Sequence, residues 1–314
     1  MQAHQLSSGD IIADRRADYA RMLDEGGEPA SAAELMEQAL EIAPVWAAGW
    51  FRLAEYREKA GNGEGAIAAL DRVRGLDPDD MFGAALKLAL LGGIAVPEQP
   101  PTAYVERLFD DYAGHFDEAL VERLDYSVPK KLSEVIRRTL GKNCRFALAV
   151  DLGCGTGLFG EEIRDCVERL EGFDLSANML AKAEEKRVYD LLGQADLSVG
   201  PEECGLFSED LSRHRAGLVS AADVLMYLGN LENFFSLAAE ISAPGAIVAF
   251  SVEDAGAGEG FRLLESLRYA HSETYLKSLC AANGLQILAL EKTVIRMDAG
   301  QPVHGILIVS EKPA

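Results

Sequence analysis

Apolar residues recur along this chain with more than one period, and the changes of period mark its parts. Over the first ninety residues they follow helical spacing, and the pattern returns at an offset of 34: Pro44 aligns with Pro78, Gly27 with Gly61, Ala32 with Ala66, Met36 with Leu70 and Ala20 with Ala54. The spacing predicts helix again over Tyr104 to Leu132. Phe146 to Val150 is then an unbroken apolar run, read as a buried parallel strand, and Leu158 to Val167 restores helical spacing. That is a strand, a turn and a helix.

The turn carries the chemistry. Gly153, Gly155 and Gly157 lack a Cβ, so the backbone can turn sharply and approach a ligand closely. The helix beyond presents unpaired N–H groups. Gly155, Gly157 and Gly160 also satisfy G-x-G-x-x-G, but a dinucleotide fold presents a diphosphate there and wants no anion beside it. Asp151 stands at the strand end. A carboxylate repels a diphosphate and attracts an ammonium or sulfonium group. The acidic strand end argues for S-adenosylmethionine over a nicotinamide dinucleotide.

Val150 to Gly157 matches (V/L)-(D/E)-(L/V)-G-x-G-x-G, and here the chain resembles the class I S-adenosylmethionine-dependent methyltransferases. The resemblance implies a Rossmann-like α/β domain with a seven-stranded, mainly parallel sheet. It places cofactor contacts at Asp151, Gly153, Cys154, Gly155, Thr156 and Gly157, Cys154 being a small space-filler. A second strand, Leu170 to Asp174, ends on the acid implied to bind the ribose hydroxyls, followed by Leu175, Ser176 as N-cap and Met179 against the adenine. Tyr189 to Asp196 resembles the third strand, with Asp196 on the adenine amino group between Ala195 and Leu197. Gly217 to Asp223 resembles the fourth, passing Ala222, and Val224 to Leu228 the helix or turn leaving it. Pro244 to Val252 resembles the fifth, and Leu285 to Val294 with His304 to Lys312 the closing antiparallel pair.

The first hundred residues are a different object. The 34-residue offset is the tetratricopeptide (TPR) period, and Ala47 to Asp80 resembles that repeat through Trp50, Leu53, Ala54, Gly61, Ala66, Leu70 and Pro78. Arg57 replaces the usual tyrosine, and the copy before it is degenerate. Met81 to Leu91 is expected as a capping helix. We therefore expect a TPR-like all-α domain over 1–92, a proline-rich linker over 93–102 and a methyltransferase domain over 103–314. Its first segment, 103–140, resembles the helical lid of small-molecule methyltransferases. There Tyr112, a further expected cofactor contact, and Phe116 would share one face, with His115 able to meet the substrate from that side. The helical module suggests a protein partner or self-association.

Composition narrows the partners. A net charge of −21 is spread over both parts, −8 over residues 1–100 and −13 over the rest, which repels phosphate backbones. No Asn-Pro-Pro-Tyr or Asp-Pro-Pro-Tyr signature follows the fourth strand, so nucleic-acid methylation is not expected. No apolar run reaches membrane-spanning length, and the first residues lack a signal peptide's basic start and apolar centre. Five cysteines, an odd number, suggest reduced thiols and a cytoplasmic setting. No metal is expected.

Methyl transfer is an in-line displacement that needs alignment and exclusion of water, with a base optional. His4, His214 and His304 lie in a terminus, a polar loop and a closing strand. His271, just before the helix-capping Ser272, is expected near the substrate mouth with Tyr269, because such a helix begins at the sheet's carboxyl edge. Asp223 and Tyr227 follow the fourth strand at the same edge. The expected activity is methylation of an oxygen, nitrogen or carboxylate of a small molecule. The alternatives are a protein acceptor docked by the repeats, or a non-catalytic cofactor-binding scaffold.

Overall fold

The computed structural model describes residues 6–114, 126–298 and 300–314; His4, His115 and Phe116 lie outside them. The chain forms two compact units, Met1–Arg107 and Leu108–Ala314.

The first unit is helical: α1 (Ile11–Glu25), α2 (Pro29–Ile42), α3 (Ala47–Lys59), α4 (Gly63–Leu76) and α5 (Ala84–Leu90). Successive helices form hairpins, and the residues paired by the 34-residue offset do the same work in each. Gly27 and Gly61 take φ of +83° and +76° after α1 and α3, which an L side chain resists. Ala20, Ala54, Ala32, Ala66, Met36 and Leu70 are all buried, the alanines letting backbones approach. Arg57 reaches the Gly65 carbonyl and the Glu37 carboxylate at 2.8 Å each, so it ties neighbouring helices polar-wise where a tyrosine was expected. Asp80 caps α5 by accepting from the Ala84 and Ala85 amides, so that helix begins three residues later than the apolar pattern indicates.

The division between units falls inside α6 (Thr102–Tyr112), beyond the proline-rich stretch. Its first half belongs to the helical unit because Tyr104 packs on Gly83, and Arg107 donates to the Met81 carbonyl and covers the Phe82 ring.

The second unit contains α7 (Val128–Leu140) and a nine-stranded sheet: β1 (Phe146–Leu152), β2 (Val167–Asp174), β3 (Leu191–Gln194), β4 (Ala216–Ala221), β5 (Ser242–Asp254), β6 (Phe261–Leu263), β7 (Tyr269–His271), β8 (Gln286–Asp298) and β9 (Gln301–Glu311). β3-β2-β1-β4-β5 are parallel, and β9 runs antiparallel to β5 with β8 outside it. These are the seven expected strands. The two additional ones, β6 and β7, form a short hairpin on the carboxyl end of β5, where Glu253 and Asp254 pair with Ala270 and His271. Helices α8 (Leu158–Ile163), α9 (Ala177–Lys186), α10 (Glu232–Ile241) and α11 (Glu273–Ala282) complete the unit. α8 is shorter than its apolar spacing suggests, because Arg164–Cys166 tightens into a 3-10 turn and Val167 already pairs with Phe146. Ser176 and Ser272 cap α9 and α11 as expected, each accepting from the amide three residues on. Apolar clusters on the two faces of the sheet leave the carboxyl ends of β1, β2, β4 and β5 as the polar edge of the unit.

Candidate functional site

At the end of β1 the chain takes φ of +66°, +55° and +93° at Gly153, Gly155 and Gly157. A Cβ at Gly153 would stand 2.3 Å from Val224, so the turn is pressed against the segment leaving β4. The later glycines make room for Tyr189. A Cβ at Gly157, Gly160 or Gly172 would lie 2.9, 2.5 or 2.7 Å from that ring or its hydroxyl. Gly157 and Gly160, two members of the G-x-G-x-x-G pattern, therefore accommodate a tyrosine. The Tyr189 hydroxyl donates to Asp151 Oδ2 at 2.7 Å, and the Ser220 hydroxyl to Oδ1 at 2.8 Å. Asp151 is 1% exposed; burial pushes its carboxyl up to about 6, and the two donors oppose that rise.

Asp174, at the end of β2, joins the two segments of the edge. Its Oδ2 accepts from the Gly155 amide at 2.8 Å and its Oδ1 from the Ser176 amide at 2.9 Å. Burial raises it to about 6 despite these amides. Ser176 donates to Asp110 of α6 at 2.6 Å, and Asn178 to the Asp110 carbonyl at 3.3 Å, which seats the end of α6 beside the turn. Asp196 follows β3, half-buried, accepting from the Ser198 amide and hydroxyl at 2.8 and 2.6 Å. Ala195, Leu197 and Thr156 are buried around it or under the turn, Leu175 and Ala222 are half-buried, and Tyr112 on α6 is exposed. Cys154 is buried with its thiol pushed well up by desolvation, an inert filler of the turn. Met179, expected against the adenine, lies in the first turn of α9 and is fully buried.

The carboxyl ends of β4 and β5 hold a buried charge network. Asp223 takes a left-handed φ of +58°, its amide donating to the Ser251 hydroxyl at 2.8 Å. Its carboxylate meets one terminal nitrogen of Arg296 at 3.2 and 3.4 Å, while the other pairs with Glu253. Arg268 lies 3.2 Å from Glu253 and 2.5 Å from Asp298, and donates to the Tyr227 hydroxyl. Burial raises Asp223 to about 6 against the pull of Arg296, and raises Tyr227 as well. Phe109 of α6 packs edge-on against Tyr227 at 4.8 Å. The structure thus brings Asp223 and Tyr227 together.

His271 and Tyr269 do not join them. His271 lies in β7 with no exposed surface, Nε2 2.9 Å from the Gly229 carbonyl, its ring stacked near Tyr275. Burial pushes its pKa down to about 4, so the imidazole is neutral and sealed. Tyr269 is equally buried, edge-on to Phe261, with its hydroxyl pKa raised by desolvation. The β6–β7 hairpin turns Tyr269 and His271, expected near the substrate mouth, inward; their neighbour Arg268 is the one that meets Tyr227. Sequence reasoning missed Tyr189, Ser220, Glu253, Arg268 and Arg296. Glu253 had a signal, an acid at a strand end like Asp151 and Asp174; the others come from separated segments with no local pattern.

Residues 124–290, more than half of the chain, match the family described as "Methyltransferase domain". The 1,6-didemethyltoxoflavin-N1-methyltransferase of Burkholderia thailandensis, solved with 1,6-didemethyltoxoflavin and S-adenosylhomocysteine, is similar in structure at 16% identity and a TM-score of 0.52, covering 70% of this chain and 94% of that one. The protein solved in complex with the Haloferax volcanii Trm112 methyltransferase activator is similar at 17% identity and a TM-score of 0.50, covering 66% of this chain and 98% of that one. These two likenesses are of fold. No curated protein matches the sequence. The glycine turn between strand-end acids, the sheet order and the match over 124–290 agree: the chain belongs to the methyltransferase-domain family, of the class I S-adenosylmethionine-dependent type.

Proposed function

We propose that the sheet unit transfers a methyl group from S-adenosylmethionine to a small-molecule acceptor. The observation that carries this reading is Asp174. Its oxygens accept the Gly155 and Ser176 amides, with the Leu175 amide also turned toward the carboxylate, and a carboxylate has about four acceptor sites, so capacity remains for a ribose hydroxyl. The site fits the cofactor in other respects: three left-handed glycines remove side chains from the turn, Asp151 lays a carboxylate beneath it, and Asp196 stands half-buried beyond β3 for an adenine amino group. When bound, the cofactor supplies an electrophilic methyl group. The chain's part is to align the acceptor and exclude water. Asp223, raised to about 6 and beside Tyr227, can take a proton from an oxygen or nitrogen acceptor near neutral pH. Tyr227 accepts from Arg268, which leaves its own proton for an acceptor oxygen.

The surrounding facts favour a small acceptor. The net charge of −21 disfavours nucleic acid, no described helix is long and apolar enough to cross a membrane, and five unpaired cysteines suit a reducing cytoplasm. The paired hairpins with repeated left-handed glycines support a TPR-like reading of the helical unit, and with it a second possibility, a protein acceptor held by that unit. Methyl-labelled cofactor incubated with the enzyme and a cell extract, split into metabolite and protein fractions, separates the two. Label in the metabolite fraction, lost on Asp223→Asn, is the expected result; label in protein alone contradicts the small-molecule assignment.

A further inference from the structure

Helix α1 is apolar on two sides. Ala13, Ala17 and Ala20 are buried in the helical unit. On the opposite side Ile11, Ile12, Tyr19 and Met22 are 68%, 55%, 62% and 58% exposed. At 100° per residue these four and Arg15 fall in one stripe about 100° wide, the width by which a helix normally faces a core. An end helix of a repeat stack ordinarily turns a polar face outward. This one does not.

The charges on α1 sharpen the point. Asp14 binds Ser7 and Ser8, Arg16 the Gln38 carbonyl, Arg21 pairs with Glu25 and Asp24 with Lys59. Arg15 and Asp18 are exposed and, among the described residues, have no ion-pair partner. They sit in the stripe and at its edge. When two such helices are laid antiparallel about a two-fold axis, residues whose numbers add to about 33 come opposite each other. Ile11 then meets the second copy's Met22, Ile12 lies against its Tyr19, and Arg15 meets its Asp18, each contact made twice.

We propose that the chain self-associates through this face of α1 into a two-fold antiparallel dimer. The four side chains offer on the order of 400–500 Å² per copy, so the pair buries about 1,000 Å², the lower end of specific interfaces. The dimer is weak, with dissociation in the micromolar range.

Sedimentation equilibrium on the full chain, from about 1 to 200 µM, reads the association directly. Wild type is expected to pass from monomer to dimer over that range, and Tyr19→Glu with Met22→Glu to remain monomeric. Arg15→Glu alone places like charges opposite each other twice and weakens the dimer about tenfold; adding Asp18→Arg restores the pairing with reversed polarity and recovers the affinity. That recovery distinguishes the interface from a variant that misfolds. A chain monomeric throughout, or a dimer indifferent to all of these substitutions, overturns the proposal.

Discussion

Tyr189→Phe removes one hydroxyl and leaves the ring in the space that Gly157, Gly160 and Gly172 provide. What changes is Asp151, which keeps only Ser220 as a donor at 2.8 Å. Its surroundings otherwise add no positive charge: Asp174 raises it, and the neighbouring Cys154 thiol and Tyr126 are uncharged at neutral pH. A hydrogen bond to a charged group contributes about 1.5–3 kcal/mol, and 1.36 kcal/mol corresponds to one pKa unit, so the carboxyl moves from about 6 to about 7–8. At pH 7 the ionised fraction falls from about nine-tenths to between a half and a tenth. If Asp151 aids cofactor binding through its charge, the dissociation constant at pH 7 rises about two- to tenfold. The assay is calorimetry from pH 5.5 to 9 with S-adenosylhomocysteine and with an analogue bearing an amine in place of the sulfonium. The variant's affinity should weaken from a higher pH than wild type's, more for the cationic analogue, and the two proteins should converge near pH 9. Superimposable profiles would refute the idea that the cofactor senses Asp151 through Tyr189.

Other perturbations bear on the same groups. Gly160→Ala puts a Cβ about 2.5 Å from the Tyr189 hydroxyl and displaces it, so we expect the upward shift of Asp151 together with about 1–3 kcal/mol lost from unfolding free energy, measured in urea. Arg296→Met leaves Asp223 and Glu253 buried without their shared cation, so denaturation should show about 3–5 kcal/mol of destabilisation and Asp223 should titrate above 6. His271 is held near 4 in the fold against 6.5 as its ordinary value; below 6.5 the unfolded chain takes up a proton that the folded one refuses. Its contribution is full above 6.5 and lost as pH falls through 4, so the stability of wild type relative to His271→Gln should drop by about 3 kcal/mol between pH 7 and 4, followed by denaturant melts.

Much of the fold was legible because its signals are local. Strand β1 is a continuous apolar run, the turn is written in glycines, and Ser176 and Ser272 are caps read from single residues. The helical hairpins follow from the 34-residue offset, since the same alanines and glycines meet the same steric demands in each copy. The β6–β7 hairpin was not legible: its strands are three residues long, too short for an alternation to register, and it buried a histidine expected near the substrate mouth. Tyr189 was hidden for a related reason, because its partners at Gly157, Gly160, Gly172 and Asp151 lie in three other segments. The same holds for Arg296 and Arg268. A charge in β8 or before β7 reads as a surface residue until the topology places it beside Asp223 and Glu253.

Asp174 is the residue on which the cofactor assignment turns, and one titration tests it. S-adenosylhomocysteine is added to the purified full chain in a calorimeter, beside NADH and an Asp174→Ala protein checked for fold by circular dichroism. We expect micromolar binding of S-adenosylhomocysteine, no binding of NADH, and at least about a hundredfold weakening in the variant, the loss of two hydrogen bonds to a charged group. Binding of NADH in preference, or S-adenosylhomocysteine binding unchanged by Asp174→Ala, would contradict the site described for this chain.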